Sequence, residues 1–164
     1  MRGIEFGWRV HAVQEQWAAR ADTKATVVFT VQAAVIAAVV AAFGNAGIAA
    51  AMTGWRFVLV WIGLLASALA VTTASLVVIP QLGRVREMEG ERRLIYFGHL
   101  RSQRPEALAT RLADLTDAEE IAELSVQLSR MGAGNWRKYG MLRIAVLASL
   151  AGALLLFVAF AWPR

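Results

Sequence analysis

The chain has 164 residues, a formal net charge of +5, 58% hydrophobic residues and a mean hydropathy of +0.51. This composition is too apolar for an ordinary soluble domain, but the 18% of charged residues is too high for a chain that lies wholly in lipid. A small membrane protein is expected, and a large independent enzyme domain is excluded. The absence of cysteine excludes disulfides and thiol catalysis, and the two histidines, His11 and His99, cannot form a metal site alone.

The basic residues are mixed with acidic ones and are not gathered in one stripe. Residues 81–140 contain ten basic and nine acidic residues, and residues 1–24 contain four basic and three acidic ones. Binding to a nucleic acid needs a concentrated basic surface that neutralises several phosphates. The charge pattern therefore argues against a nucleic-acid partner.

Three apolar runs, at 25–43, 55–79 and 141–162, are each close to the roughly 20 helical residues that cross a bilayer. Aromatic residues stand near the ends of the second and third runs, where the membrane interfaces would be. The first two runs form a predicted transmembrane hairpin over residues 25–80, joined by a short turn. We therefore expect three transmembrane helices.

The basic residues also predict the orientation of the chain. The connection 44–54 has no charged residue, whereas 1–24 and 81–140 contain most of the arginines and both lysines. Because basic segments stay on the cytosolic side, the amino terminus is expected inside and the carboxyl terminus outside.

Small residues recur at four-residue spacing in each span, which lets helices approach closely or arises by chance in alanine-rich sequence. If the membrane part does more than anchor, we expect a homo-oligomer whose inner face carries Gln32, Thr30 and Ser67 or Ser149.

Residues 1–24 have the spacing of an amphipathic helix that can continue into the first span. Phe6, Val10, Val13 and Trp17 form its apolar stripe, which needs a partner surface. The predicted fold class is all-α: an integral membrane protein with three transmembrane helices and a small cytosolic helical bundle, built from this helix and segment 81–140. Residues 141–162 form the third transmembrane helix.

Start and stop signals divide the cytosolic segment 81–140 into short helices. The run 81–100 has helical character, Pro105 opens a second helix, and Thr116 with Glu119 forms a capping box for a third. Two glycines, Gly132 and Gly134, are expected to end or bend that helix, and Asn135 to cap the next one, which leads into the third span. These last three residues therefore predict a break before the membrane.

Motifs of enzyme catalysis are missing from the sequence. It has no histidine, serine and acid arrangement, no glycine-rich phosphate loop and no metal-ligand spacing. We therefore expect no catalytic residue, no metal and no cofactor.

Two short segments carry residues suited to a site. Asp22 and Lys24 lie at the cytosolic mouth of the first span, on different sides of a helix, so they cannot simply pair with each other. One of them is expected to face protein. The ordinary alternative is a lysine that extends to the interface and an aspartate near an arginine.

The second segment has Arg92 and Arg93 followed by Tyr96 and Phe97. Helical spacing places the guanidinium groups near the aromatic rings, and rings with arginines suit a base and a phosphodiester anion. In the alternative interpretation, both rings belong to the bundle core and His99 lies at the surface.

The sequence resembles the transmembrane effectors of the Pycsar antiphage system, in which a pyrimidine cyclase makes cyclic UMP or cyclic CMP. The resemblance runs from about Trp8 to Val158 and includes the order of all elements. The matching residues are an A-D-x-K-A entry to the first span (Ala21, Asp22, Lys24, Ala25), a Y-F-G after the second (Tyr96, Phe97, Gly98), and Gln127 followed by Lys138-Tyr139 before the third.

The resemblance implies a receptor in the bacterial inner membrane that binds cyclic UMP or cyclic CMP on its cytosolic face, disrupts the membrane and causes abortive infection. Under this hypothesis, the ligand-binding residues are Arg92, Arg93, Tyr96 and Phe97, whereas Asp22, Lys24 and Lys138 couple binding to the membrane. The lipid bilayer and a partner cyclase are implied. The competing hypothesis is a passive anchor or scaffold whose helical bundle docks a protein partner.

Overall fold

The structure is a computed structural model that describes residues 2–46, 48, 53–79, 94–95, 97–101 and 103–161. Of these residues, 91% are helical and none is in a strand, which confirms the all-α prediction. The helices are α1 (Arg2–Phe43), α2 (Trp55–Val78), α3 (Phe97–Leu100), α4 (Pro105–Ala113) and α5 (Asp117–Ala161).

Helices α1, α2 and α5 are long and apolar enough to cross a membrane. With 42 and 45 residues, α1 and α5 are about 63 and 68 Å long, roughly twice the ~30 Å hydrocarbon core of a bilayer. Each therefore contains an apolar stretch of spanning length and a long polar extension. The amino-terminal helix continues into the first span without a break.

The prediction that a helix ends at Gly132 or Gly134 is wrong, because α5 is continuous from Asp117 to Ala161. A glycine costs only about 1 kcal/mol inside a helix, so two of them do not end one that is otherwise favourable. Asn135 does not cap a helix either. It lies well inside α5, and its side-chain amide donates to the carbonyl of Gln14 on α1 at 3.0 Å.

The start of α5 confirms the predicted capping box. The backbone N–H of Thr116 donates to Glu119 Oε2 at 2.9 Å, and the backbone N–H of Glu119 donates to Thr116 Oγ1 at 3.3 Å. Glu119 is far from the apolar stretch of α5. Hydrogen bonds from the backbone and the hydroxyl of Thr116 lower the pKa of Glu119 below its ordinary value, because they stabilise the carboxylate. Helix α4 begins at Pro105, as predicted.

The chain divides into two compact units, in each of which residues from both halves of the sequence meet. We call residues 1–18 and 81–136 the bundle unit, and residues 19–80 and 137–164 the span unit. Helices α1 and α5 contribute residues to both units.

The span unit has two apolar clusters of small and branched side chains where α1, α2 and α5 meet. The first consists of Ala21, Ala25, Ala74, Val77, Leu142 and Ala145, and the second of Val39, Val60, Leu156 and Ala159. Alanine in the first cluster lets the helix backbones approach closely, as in other membrane helix pairs.

In the bundle unit, one residue of the predicted apolar stripe of α1, Val10, is half-buried, and the other three are exposed. Phe6 and Trp17 remain 64% and 50% exposed, and Val13 is exposed as well. The packed face has Gly7, which is buried against Leu124 of α5, and Gln14. A residue without a side chain lets the two helices approach more closely than a phenylalanine or tryptophan would, and this close approach determines the rotation of α1.

Candidate functional site

The predicted ligand-binding residues lie mostly outside the described part of the chain. This applies to Arg92, Arg93 and Tyr96, while Phe97 is the first residue of α3. Directly after the arginines, the backbone N–H of Leu94 donates to Glu123 Oε2 on α5 at 3.2 Å. This bond holds the chain beside α5 immediately after the arginine pair.

A cleft of about 400 Å³ opens beside this point in the bundle unit. Its volume is within the range of small-molecule sites. It is lined by Trp8, Leu94, Ile95, Leu112, Leu115, Glu120 and Glu123. A smaller neighbouring cleft of about 280 Å³ shares Leu94, Leu115 and Glu123 with the first and adds polar residues that include Arg111, Asp114 and Glu119.

The larger cleft combines an aromatic ring with carboxylate oxygens. Trp8 Nε1 donates to Glu120 Oε1 at 2.8 Å, so this carboxylate holds the indole in place. An indole face can stack on a flat base, and carboxylates accept hydrogen bonds from N–H groups. None of the described residues that line the larger cleft is a cation. An anionic ligand there would need positive charge from neighbouring residues.

His99 is buried in the bundle unit, with 8% of its surface exposed. The interpretation that placed His99 at the surface is therefore wrong. This histidine is the third residue of α3, so α3 is packed against protein at this position.

An ion pair joins α1 and α5 in the span unit. Lys138 Nζ lies 2.6 Å from Asp22 Oδ1 and 2.9 Å from Oδ2, a charge-assisted contact with both carboxylate oxygens. The side chains of Lys138 and Asp22 are 23% and 37% exposed, so the pair is partly shielded from solvent. Asp22 lies between Ala21 and Ala25 of the first apolar cluster, and its carboxylate reaches Lys138 of the neighbouring helix.

Lys24, the third residue of the predicted coupling group, is exposed. Among the described residues it has no hydrogen bond or ion pair. Two positions along a helix direct its side chain to a different side of α1 from Asp22. The structure therefore brings two of the three residues together and leaves the third apart.

The span unit has two further polar contacts whose partners were not predicted from the sequence. Gln32 Nε2 donates to Ser149 Oγ at 2.6 Å, and Arg56 Nε donates to the carbonyl of Ala159 near the end of α5 at 2.9 Å. Arg56 thereby satisfies a carbonyl in the last turn of a helix, where a cation is favourable. The sequence feature that could have indicated this contact is the position of Arg56, a single charged residue at the end of an apolar run.

The predicted inner face of an oligomer is only partly consistent with these contacts. Gln32 and Ser67 are buried within one protomer, whereas Thr30 is exposed. The hydroxyl of Thr30 donates a hydrogen bond to the carbonyl of Thr26 in its own helix at 3.0 Å. No cluster of three or more metal-ligating side chains is present among the described residues.

The family comparison decides the identity of the chain. The family model PycTM, described as Pycsar effector protein domain, matches residues 6–163. This chain belongs to the Pycsar effector family. The match includes all five helices, apart from the first four residues of α1. No curated protein matches the chain, and no solved structure does either.

Membership implies a role for this Pycsar effector in the antiphage system of that name, with a link to a cyclic nucleotide made by a cyclase. The three apolar helices and the family together indicate a membrane protein of antiviral defence.

Proposed function

We propose that this Pycsar effector is a non-enzymatic receptor for a cyclic pyrimidine mononucleotide, cyclic UMP or cyclic CMP, and that binding disrupts the bacterial inner membrane and causes abortive infection. The observation that carries the proposal is the family match over residues 6–163 of a chain with three membrane-length helices. The proposed orientation has the amino terminus in the cytosol and the carboxyl terminus outside, and the active form is a homo-oligomer.

The proposed nucleotide site combines the cleft of the bundle unit with the segment that leads into it. Arg92 and Arg93 would hold the phosphodiester anion, and Tyr96 and Phe97 would contact the base. The described lining of the cleft supports this division. Its carboxylates suit the N–H groups of a pyrimidine, and the anion needs cations beyond these described residues. The bond from Leu94 to Glu123 supports it as well, since Leu94 both follows the arginines and lines the cleft.

The proposed coupling group is the ion pair of Asp22 and Lys138, with Lys24 at the interface. The helices that carry the pair also supply Trp8, Glu120 and Glu123 to the cleft. A ligand drives the change only if its affinity differs between the closed and open arrangements of these helices. The ion pair is an interaction that such a change can break or strengthen.

The test is dye leakage from liposomes that contain the purified protein, titrated with cyclic UMP, cyclic CMP, cyclic AMP and cyclic GMP. We expect leakage with a pyrimidine nucleotide only. Binding of the same nucleotides is measured in parallel by calorimetry. If none of the four causes leakage or binds, the receptor proposal is wrong.

Two arginine variants assign the role of the proposed site. Arg93→Ala should weaken nucleotide binding and raise the concentration needed for leakage, because it removes a donor to the phosphodiester. Arg101→Ala, a change at an exposed position just beyond α3, is the matched control and should leave both unchanged. Loss of leakage with normal binding in Arg93→Ala would move this residue from binding to coupling.

The alternative function, a scaffold that docks a protein partner, is favoured by one observation. Phe6, Val13 and Trp17 form an apolar face of α1 that is exposed in this protomer. A scaffold predicts that none of the nucleotides changes membrane permeability, and that polar substitutions on this face abolish partner docking.

A further inference from the structure

Polar side chains from all three spanning helices meet inside the span unit. Gln32 of α1 and Ser67 of α2 are 1% and 0% exposed, and Gln32 Nε2 donates to Ser149 Oγ of α5. We call Gln32, Ser67 and Ser149 the polar layer. The first apolar cluster lies on one side of it along each helix, and the second lies on the other.

With the ion pair of Asp22 and Lys138 at the edge of the hydrocarbon, helix length is expected to place the polar layer near the middle of a bilayer. At ~1.5 Å per residue, Gln32 is about 15 Å along α1 from Asp22, and Ser149 is about 16 Å along α5 from Lys138. Since Asp22 and Lys138 form an ion pair, these two residues lie at the same depth in the span unit, and both distances are counted from there. Half of a hydrocarbon core of ~30 Å is also about 15 Å.

Two polar atoms of the layer have no hydrogen-bond partner among the described residues, Gln32 Oε1 and Ser67 Oγ. The other hydroxyls of α2 behave differently. Thr72, Thr73 and Ser75 each donate to a backbone carbonyl of the preceding turn at 2.8 to 2.9 Å. A buried polar group without a partner is costly in an apolar medium, so the layer favours any arrangement that admits water.

Helices α2 and α5 pack closely beside the polar layer. A Cβ atom added at Gly152 would lie 2.8 Å from Ser67 Oγ and 3.0 Å from the carbonyl oxygen of Gly63. A Cβ atom added at Gly63 would lie 2.8 Å from Leu156 Cγ. The two glycines therefore bring the helix backbones together directly beside the polar layer.

We infer that the polar layer lines the aqueous path through the membrane when α2 and α5 separate, so that permeation runs through the span unit and not through the surrounding lipid. This inference rests on the proposed function and names the permeation route. Separation of the helices hydrates Gln32 Oε1 and Ser67 Oγ, and the hydrated polar atoms stabilise the open arrangement. The permeant species is water with small hydrated solutes.

Because the native chain has no cysteine, single-cysteine variants report directly on access of water. Ser67→Cys is compared with Leu69→Cys, which is half-exposed on the outer surface of α2 and would face lipid. Both are reconstituted in liposomes and treated with a charged methanethiosulfonate reagent that does not cross bilayers. Labelling after denaturation in detergent checks that each thiol is reactive.

A ligand-independent opening variant is Gly152→Val, which forces α2 and α5 apart. Its matched control is Gly140→Val on the same helix, where an added Cβ meets no atom within 4 Å. We expect leakage without nucleotide in Gly152→Val and none in Gly140→Val. The smaller change Gly152→Ala should give weaker leakage, and it replaces the valine variant if that protein fails to insert.

The expected result is that Ser67→Cys is unreactive at rest and becomes labelled when leakage is opened by the glycine variant or by a pyrimidine nucleotide, while Leu69→Cys stays unlabelled. Leakage without labelling of Ser67→Cys, or equal labelling of both positions, overturns the inference in favour of damage to the lipid. Absence of leakage and of labelling in both Gly152 variants overturns it as well. If the glycine variants leak and are labelled but no nucleotide has any effect, the inference stands and the receptor function fails.

Discussion

Asp22 and Lys138 show how one contact can join residues that are 116 positions apart in the chain. The aspartate is held by a turn of α1 whose neighbours, Ala21 and Ala25, are fully buried. Partial burial strengthens the attraction relative to a fully exposed pair, but it also makes either charge costly when its partner is removed.

We predict that Asp22→Asn or Lys138→Met lowers the free energy of unfolding by about 1–2 kcal/mol, between the values for exposed and buried pairs. Denaturation in detergent micelles measures this change, and the double variant gives the coupling energy. Lys24→Met is the control, because Lys24 is exposed and should have little effect. Equal losses for Asp22→Asn and Lys24→Met would mean that the pair adds no stability.

The capping box at the start of α5 predicts a local pH dependence. The pKa of Glu119 lies below its ordinary value of 4.5, first because of the hydrogen bond from the backbone of Thr116. Since the folded state lowers this pKa, the stabilisation is complete above the ordinary value and is lost as the pH falls through the lowered one.

Amide hydrogen exchange at Thr116 and the first turn of α5 should therefore accelerate as the pH is lowered below 4.5, after correction for the intrinsic exchange rate. Glu119→Gln keeps the ability to accept the same hydrogen bond but does not titrate, so this acceleration should disappear in it. The same pH dependence in both proteins would assign the effect to another group.

Among the elements, α5 departs most from what its residues suggest. Two glycines close together, such as Gly132 and Gly134, are typical of the end of a helix, but these two lie inside a helix of 45 residues. Neither glycine is required by close approach: an added Cβ meets nothing within 4 Å at Gly134, and only the side chain of Gln14 at 3.9 Å at Gly132.

We therefore predict that Gly134→Ala raises the free energy of unfolding by about 0.5–1 kcal/mol, because alanine loses less conformational freedom in a helix. Gly7→Ala should have the opposite sign, since its Cβ would overlap Leu124 Cδ2 in the packed face of α1. Both changes are measured by denaturation in detergent. Destabilisation by Gly134→Ala would show that the helix bends at this glycine in solution.

For the whole molecule, the placement of basic residues predicts three crossings with the amino terminus in the cytosol. An alkaline phosphatase fused to the carboxyl terminus should be active, because it would lie outside the membrane. The same reporter inserted after Arg101, between α3 and α4, should be inactive. Activity at Arg101 with inactivity at the carboxyl terminus would reverse the orientation.

Much of the architecture follows from local pattern. The lengths of the three apolar runs predict the spans, Pro105 predicts the start of α4, and Thr116 with Glu119 predicts the start of α5. Each of these features depends on residues within a few turns of one another, so no knowledge of the fold is needed. The Pycsar family is identified from sequence as well.

The contacts of the candidate site could be predicted less well from local sequence pattern. Asp22 and Lys24 could be selected from sequence, but the partner of Asp22 could not, and Arg92, Arg93 and Tyr96 lie outside the described residues. The arrangement of Gln32 with Ser149 likewise required the packed helices.

The sequence alone was sufficient to predict the helical membrane class, the three spans and the capping box of α5, because hydrophobic length and hydrogen bonds within one turn are properties of short segments. Helix rotation and register came from the packed structure. Close approach at Gly7, Gly63 and Gly152 turns the glycine and polar faces inward and leaves Phe6 and Trp17 outside. Such a choice depends on shape complementarity between helices that are distant in sequence, and apolar periodicity within one helix does not contain that information.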